Sequence, residues 1–117
     1  MTCYWQTMSA APEPPGVAVP VACSLDATSL AGRLEEWRAL VASSVLSLEA
    51  DATSVRLVLE GSDAALAAAA SLGQREKQCC PFFDVGIELG PDARTLHLRV
   101  PPEAVGAMAH FVEMLRS

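Results

Sequence analysis

A chain of 117 residues with 51% apolar side chains fits one domain with its own core. Eight basic against fourteen acidic side chains leave a formal net charge of −6, which argues against nucleic acid as a partner because that affinity comes from Lys and Arg neutralising phosphates. Apolar runs such as Ala64 to Ala70 stop well short of the roughly 18 residues a membrane-spanning helix requires, and the N-terminus lacks the basic, apolar and cleavable succession of a leader, so a cytoplasmic protein with no membrane partner is expected.

Residues 1–16 read as a flexible tail, because Ala-Ala-Pro-Glu-Pro-Pro-Gly at 10–16 favours extended or disordered chain. The domain is expected to occupy 17–117. Val17 to Cys23 is apolar and β-branched apart from Pro20, which predicts a short strand near a sheet edge or at a bulge. Asp26, Thr28 and Ser29 offer caps to a helix running to about Ser43, whose Leu30, Leu34, Trp37, Leu40 and Val41 follow a 3.6-residue period. Val45 to Glu49 and Ser54 to Glu60 then form a hairpin around Asp51-Ala52-Thr53, with Val55, Leu57 and Leu59 alternating toward one face.

Gly61-Ser62-Asp63 opens an alanine-rich second helix. It continues to about Gln78, because Pro81 pushes Cys80 out of helical dihedrals. Phe83, Val85, Ile87 and Leu89 form one face of a further strand, Gly90-Pro91-Asp92 turns the chain, and Leu96, Leu98 and Val100 form the matching face of the next strand. Pro101-Pro102 precedes a last helix with Val105, Met108, Val112 and Leu115 turned inward. The order β-α-β-β-α-β-β-α predicts an α+β fold, a mostly antiparallel sheet with helices covering one face.

Four cysteines in 117 residues, two of them adjacent, do not form the framework of a secreted disulfide scaffold. A bond between Cys79 and Cys80 would close a strained ring, far from the roughly 5 to 6 Å usual between bridged Cα atoms. Thiols, or thiolates on a metal, are the better expectation. Cysteine-only sites suit soft or borderline ions: zinc, copper(I) and, by the same logic, mercury(II) or trivalent arsenic. Cys79 and Cys80 supply two sulfurs, and Cys23, at a strand end toward which the second helix can return, is the candidate third. Cys3 lies in the tail, where it either closes over a bound ion or takes no part. A helix C-terminus carries partial negative charge and disfavours thiolates, which Arg75 and Lys77 offset in part. A bound cation reverses that balance by displacing the thiol protons, so ligation is favoured over free-thiol redox chemistry.

Plainer readings stand beside these. Cysteines often act as small buried hydrophobes, and neighbours on an extended chain point to opposite faces, so both sulfurs serve one site only if the corner departs from a regular strand. Asp84, two residues from Phe82, is expected to share its face, either as a base or oxygen ligand at the site or as a solvated strand carboxylate. His97, on the polar face of its strand, and His110, near the apolar stripe of the last helix, read as satisfied or exposed histidines before they read as ligands. Phe82, Phe83 and Trp37 are core or the dry wall of a pocket.

The segments Val21-Ala22-Cys23-Ser24-Leu25-Asp26, Arg33-Leu34-Glu35-Glu36-Trp37-Arg38-Ala39-Leu40 and Glu76-Lys77-Gln78-Cys79-Cys80-Pro81-Phe82-Phe83 resemble a small actinobacterial domain. That domain occurs alone or as a C-terminal extension of mercury-resistance-type (MerR family) regulators. The resemblance covers about residues 17 to 116, matches Cys23, Cys79 and Cys80, and implies sensing or handling of a soft metal or metalloid in resistance. It leaves Cys3 outside, and the chain has no recognisable helix-turn-helix, so direct DNA binding is not implied. A homodimer or a partner regulator is left open. Two alternatives remain: an enzyme resembling alkylmercury lyase, with Cys23 or Cys80, Cys79 and Asp84 as the nearest analogues, and an interaction domain in which the cysteines only pack.

Overall fold

A computed structural model describes residues 27–116. The expected tail at 1–16, the strand Val17 to Cys23, and with them Cys3 and Cys23, lie outside the described residues. Helix α1 spans Ala27–Ser44. Leu34, Trp37 and Leu40 are buried along one stripe, while Glu35, Glu36, Arg38 and Ala39 are exposed, as an amphipathic helix against a sheet requires. The helix passes without a loop into β1 (Val45–Ala50), which pairs with β2 (Ser54–Leu59). Asp51 closes this hairpin by accepting hydrogen bonds from the Thr53 and Ser54 amides at 2.9 and 2.8 Å, an Asx turn that satisfies the backbone where the chain reverses. A bulge between Val45 and Ser47 breaks the register, and Leu46 there is 71% exposed.

Helix α2 runs Asp63–Cys79, capped by Ser62, whose hydroxyl accepts from the Ala65 amide. Its buried face is Ala65, Ala69, Leu72, Gly73, Glu76 and Cys79. Small residues on that face bring its backbone down onto the sheet, and a Cβ at Gly73 would stand 2.9 Å from Val85 Cγ1. Strands β3 (Asp84–Leu89) and β4 (Arg94–Arg99) form the second hairpin. A short 3-10 turn, Pro102–Ala104, leads into α3, Val105–Arg116.

The sheet has the order β1-β2-β4-β3, every neighbour antiparallel. Val55 pairs with Leu98 and Leu57 with Leu96, so the central strands set one buried apolar face against the helices while Arg56 and Arg99 face away. The expected α+β architecture, helices on one face of an antiparallel sheet, is what the described residues form. Two side-chain expectations are corrected. Ile87 and Leu89 keep their alternation but are 39% and 66% exposed, because β3 is an edge strand that the helices do not fully cover. Val105 is 41% exposed, and the inward stripe of α3 instead takes in Ala107 and Phe111.

Phe111 joins the three helices' common core to the end of α2. Its ring meets Trp37 edge-on at 5.3 Å and Phe83 at 5.6 Å, and Phe83 stacks on Phe82 at 5.0 Å. Such pairs add to the burial of their own apolar area. The cysteine corner sits beside this aromatic cluster.

Candidate metal centre

Helix α2 ends because Pro81 bars helical geometry at the preceding residue: Cys80 adopts φ −129°, ψ 79°. The break is held from both sides. The Cys80 amide still donates to the Glu76 carbonyl at 2.8 Å, and the Phe83 amide donates to the Cys80 carbonyl at 3.0 Å. Lys77 Nζ donates to the carbonyls of Pro81 and Phe83, each at 2.8 Å, and so ties the last turn of the helix to the chain that leaves it. This departure from both helix and strand lets adjacent side chains converge. Cys79 Sγ and Cys80 Sγ lie 3.4 Å apart, both buried and both thiols.

A third donor, unforeseen in the sequence, completes the cluster. Glu76 is fully buried, with Oε2 accepting from Cys79 Sγ at 3.5 Å and Oε1 accepting from Trp37 Nε1 at 2.8 Å. Among the described residues, Glu76, Cys79 and Cys80 are the only group of three or more His, Cys, Asp or Glu side chains whose donor atoms, all within 4.8 Å of one another, can share an ion. The signal was present in the chain: Glu76 falls three and four residues before the cysteines, one helical turn away on the same face, at a position of the Ala65, Ala69, Leu72 stripe where another apolar residue would be expected.

The electrostatics follow from burial. Desolvation drives the Glu76 carboxyl up to about 7, reinforced by the nearby Cys79, while the Trp37 hydrogen bond and the Arg33 charge oppose the rise. Arg33, nearly buried, stands 3.8 Å from both Glu76 Oε1 and Cys79 Sγ. It is the cation in direct reach of both groups; of the expected pair, Arg75 is bound to Glu36 and acts on Glu76 from farther away, and Lys77 is bound to the backbone carbonyls that follow the corner.

Asp84 does not belong here. Phe82 precedes the strand and is buried, whereas Asp84 begins β3 with its side chain 78% exposed, 3.9 Å from Arg99 Nε. The expected shared face fails because the chain is still turning between the two residues. His97 lies 3.8 Å from Glu88 on the sheet face turned away from the helices, and His110 is half-buried in α3; neither belongs to the cluster. Cys23 cannot be located relative to it, since it lies outside the described residues.

No helix among the described residues is long and apolar enough to cross a membrane. No family model matches this chain, and neither a curated protein nor a solved structure matches it.

Proposed function

We propose that this protein binds a soft metal or metalloid ion, such as mercury(II), trivalent arsenic, zinc or copper(I), through the thiolates of Cys79 and Cys80, in the reducing cytoplasm and in the service of metal resistance or sensing. The observation that carries this reading is the 3.4 Å separation of two buried sulfurs beside a buried carboxylate, since a site of soft donors with its ligands gathered beforehand avoids most of the ordering cost of binding. Cys23 is the third sulfur in this reading. Chain reach supports it: Arg33 of α1 touches Cys79, the helix from Ala27 to Arg33 is about 9 Å long, and the chain from Cys23 to Ala27 spans at most about 14 Å.

Titration with each of the four ions, followed by native mass spectrometry, tests the proposal. Wild type is expected to hold one ion per chain, Cys79→Ser and Cys80→Ser to lose it, and Cys23→Ser to weaken it. Undiminished uptake by a folded Cys79→Ser, Cys80→Ser double variant would instead support the interaction domain, with the cysteines as packing residues.

One observation favours a second reading, cleavage of an organomercurial. Such cleavage needs a proton donor beside the sulfurs that hold mercury, and Glu76, not Asp84, occupies that place. The carboxyl proton would pass to carbon as the carbon–mercury bond breaks and the hydrocarbon leaves. Turnover lost in Glu76→Gln and kept in Asp84→Asn is the result this reading requires.

A further inference from the structure

We infer that the Cys79–Cys80 corner is shaped for a trivalent, pyramidal metalloid centre of the arsenite and organoarsenical class, held by these two sulfurs with its third position left to a hydroxyl, an organic group or the Cys23 sulfur. This deepens the binding reading above and rests on it. Bond geometry discriminates among thiophilic ions first. With a thiolate–metal bond of about 2.3 Å, two sulfurs 3.4 Å apart subtend an angle of about 95° at a shared centre. A tetrahedral ion with the same bonds needs its sulfurs about 3.8 Å apart, and a linear two-coordinate ion needs about 4.6 Å. A three-coordinate centre with a lone pair is bent well below the tetrahedral angle, as this corner requires.

The sulfurs have little freedom to spread. Cys80 is fully buried, its amide and carbonyl are both hydrogen-bonded, and Gly73 locks α2 against Val85 at a distance that admits no Cβ. Widening the pair would move packed groups, and interiors resist such movement.

Charge discriminates second. Glu76 and Cys80 have no exposed surface, and the Glu76 carbonyl and carboxyl oxygens both lie within 3.6 Å of Cys79 Sγ. An added net negative charge in such surroundings is costly, and Arg33, 3.8 Å from Glu76 and Cys79, offsets it only in part. Copper(I) on two thiolates is an anion, as is zinc on two thiolates and an ionised carboxylate. A mercury(II) dithiolate is neutral but linear. Among the four ions, the trivalent arsenical dithiolate is the one that is bent well below the tetrahedral angle and neutral without drawing on the Glu76 carboxylate.

The reaction balances without any oxidant. Arsenous acid and two thiols give the dithiolate, which keeps one hydroxyl, and two waters; two As–O and two S–H bonds break, while two As–S and two O–H bonds form. Arsenic stays trivalent. A phenylarsonous acid, with two hydroxyls to lose, reacts in the same way and uses two sulfurs only.

The test loads full-length wild type separately with phenylarsine oxide, mercury(II) and zinc(II), then strips each adduct with rising dithiothreitol, read by native mass spectrometry. Because dithiothreitol is itself an unconstrained dithiol, the half-stripping concentration reports what the protein's geometry adds. The phenylarsine adduct is expected to withstand at least tenfold more dithiothreitol than either metal adduct, and to shield Cys79 and Cys80 from alkylation in peptide mapping. Cys79→Ser and Cys80→Ser are expected to reduce phenylarsine retention at least 100-fold, with Cys3→Ser as the control that retains it. Equal or weaker resistance of the arsenical, with metal uptake still dependent on Cys79 and Cys80, overturns this inference and leaves the binding reading standing. Absence of any adduct on this pair in folded wild type overturns both.

Discussion

Two glutamate–arginine pairs join α1 to α2, and they differ in almost every physical respect. On the solvent side, Arg75 makes a two-pronged contact with Glu36, both N–O distances 2.9 Å, and the Glu36 carboxyl is held below its usual range, first by the Arg75 hydrogen bond. On the buried side, Arg33 stands 3.8 Å from Glu76, whose carboxyl is pushed up to about 7. The same residue types on the same two helices thus titrate in opposite directions. The difference is water: desolvation of a carboxylate exceeds what a distant guanidinium and one indole N–H return. A fold that keeps a carboxyl in such a place, beside two thiols, gives up stability there.

Trp37 carries the buried side, and removing it gives the largest expected effect. It is fully buried, packs on Phe111 and donates to Glu76. Trp37→Ala is expected to cost about 3–5 kcal/mol, measured by urea unfolding, whereas Glu36→Ala, at the equivalent contact on the open side, is expected to cost less than about 1 kcal/mol. Similar losses at the two positions would mean that the buried and open sides do not differ in this way.

Next in size is the pH dependence of the ion-free protein. Glu76 has its carboxyl raised from 4.5 to about 7. Below about 4.5 it is protonated in both states and stability is unaffected; as pH rises toward 7 the unfolded chain loses the proton and the folded protein keeps it, so stability falls. The full effect is about 3 kcal/mol, reached above pH 7. Glu36 and Asp51, both lowered, act with the opposite sign and only below the ordinary carboxylate range. Denaturation at pH 4.5, 6 and 8 is therefore expected to show a decline in wild type and a flat profile in Glu76→Gln.

Much of this was legible in the chain, and the parts that were not have definable causes. Alternation in Val55-Leu57-Leu59 and Leu96-Leu98-Val100 fixed which face of the sheet is buried, because a strand's period of two leaves no choice once one face is apolar. Pro81 marked the corner at which the sulfurs converge. Edge position is a tertiary fact, so the exposure of Ile87 and Leu89 has no local signature. Glu76 was hidden by its own propensity: glutamate is a good helix former, and an alanine-rich helix weakens the contrast between its two faces. Asp84 is the solvated strand carboxylate that one reading expected, and only the face shared with Phe82 failed, because a face can be assigned from alternation only where the strand has already begun.

A matched pair of glycine substitutions separates the two sides again. Gly73→Ala adds a Cβ 2.9 Å from Val85 Cγ1 and 3.5 Å from Leu96 Cδ1. Overpacking there, about 1–3 kcal/mol, outweighs a helix-propensity gain of up to about 1 kcal/mol, and a net loss of about 1 kcal/mol is expected. Gly32→Ala, exposed on α1 with nothing within 4 Å of the new Cβ, keeps the propensity gain alone and raises stability by about 0.5–1 kcal/mol. Thermal unfolding of both variants checks the signs.

The smallest effect belongs to the best-formed ion pair. Arg75 and Glu36 have near-ideal distances, yet their side chains are 37% and 47% exposed, so water and salt already solvate both charges. A double-mutant cycle with Arg75→Ala and Glu36→Ala is expected to give a coupling of about 0.2–1 kcal/mol that shrinks in 1 M salt. Arg33→Ala against Glu76→Gln is expected to give a coupling that salt leaves nearly unchanged, since ions do not screen a pair from which water is excluded. If the two cycles respond alike to salt, Glu76 is solvated in solution, and the dry carboxyl beside Cys79 loses its basis.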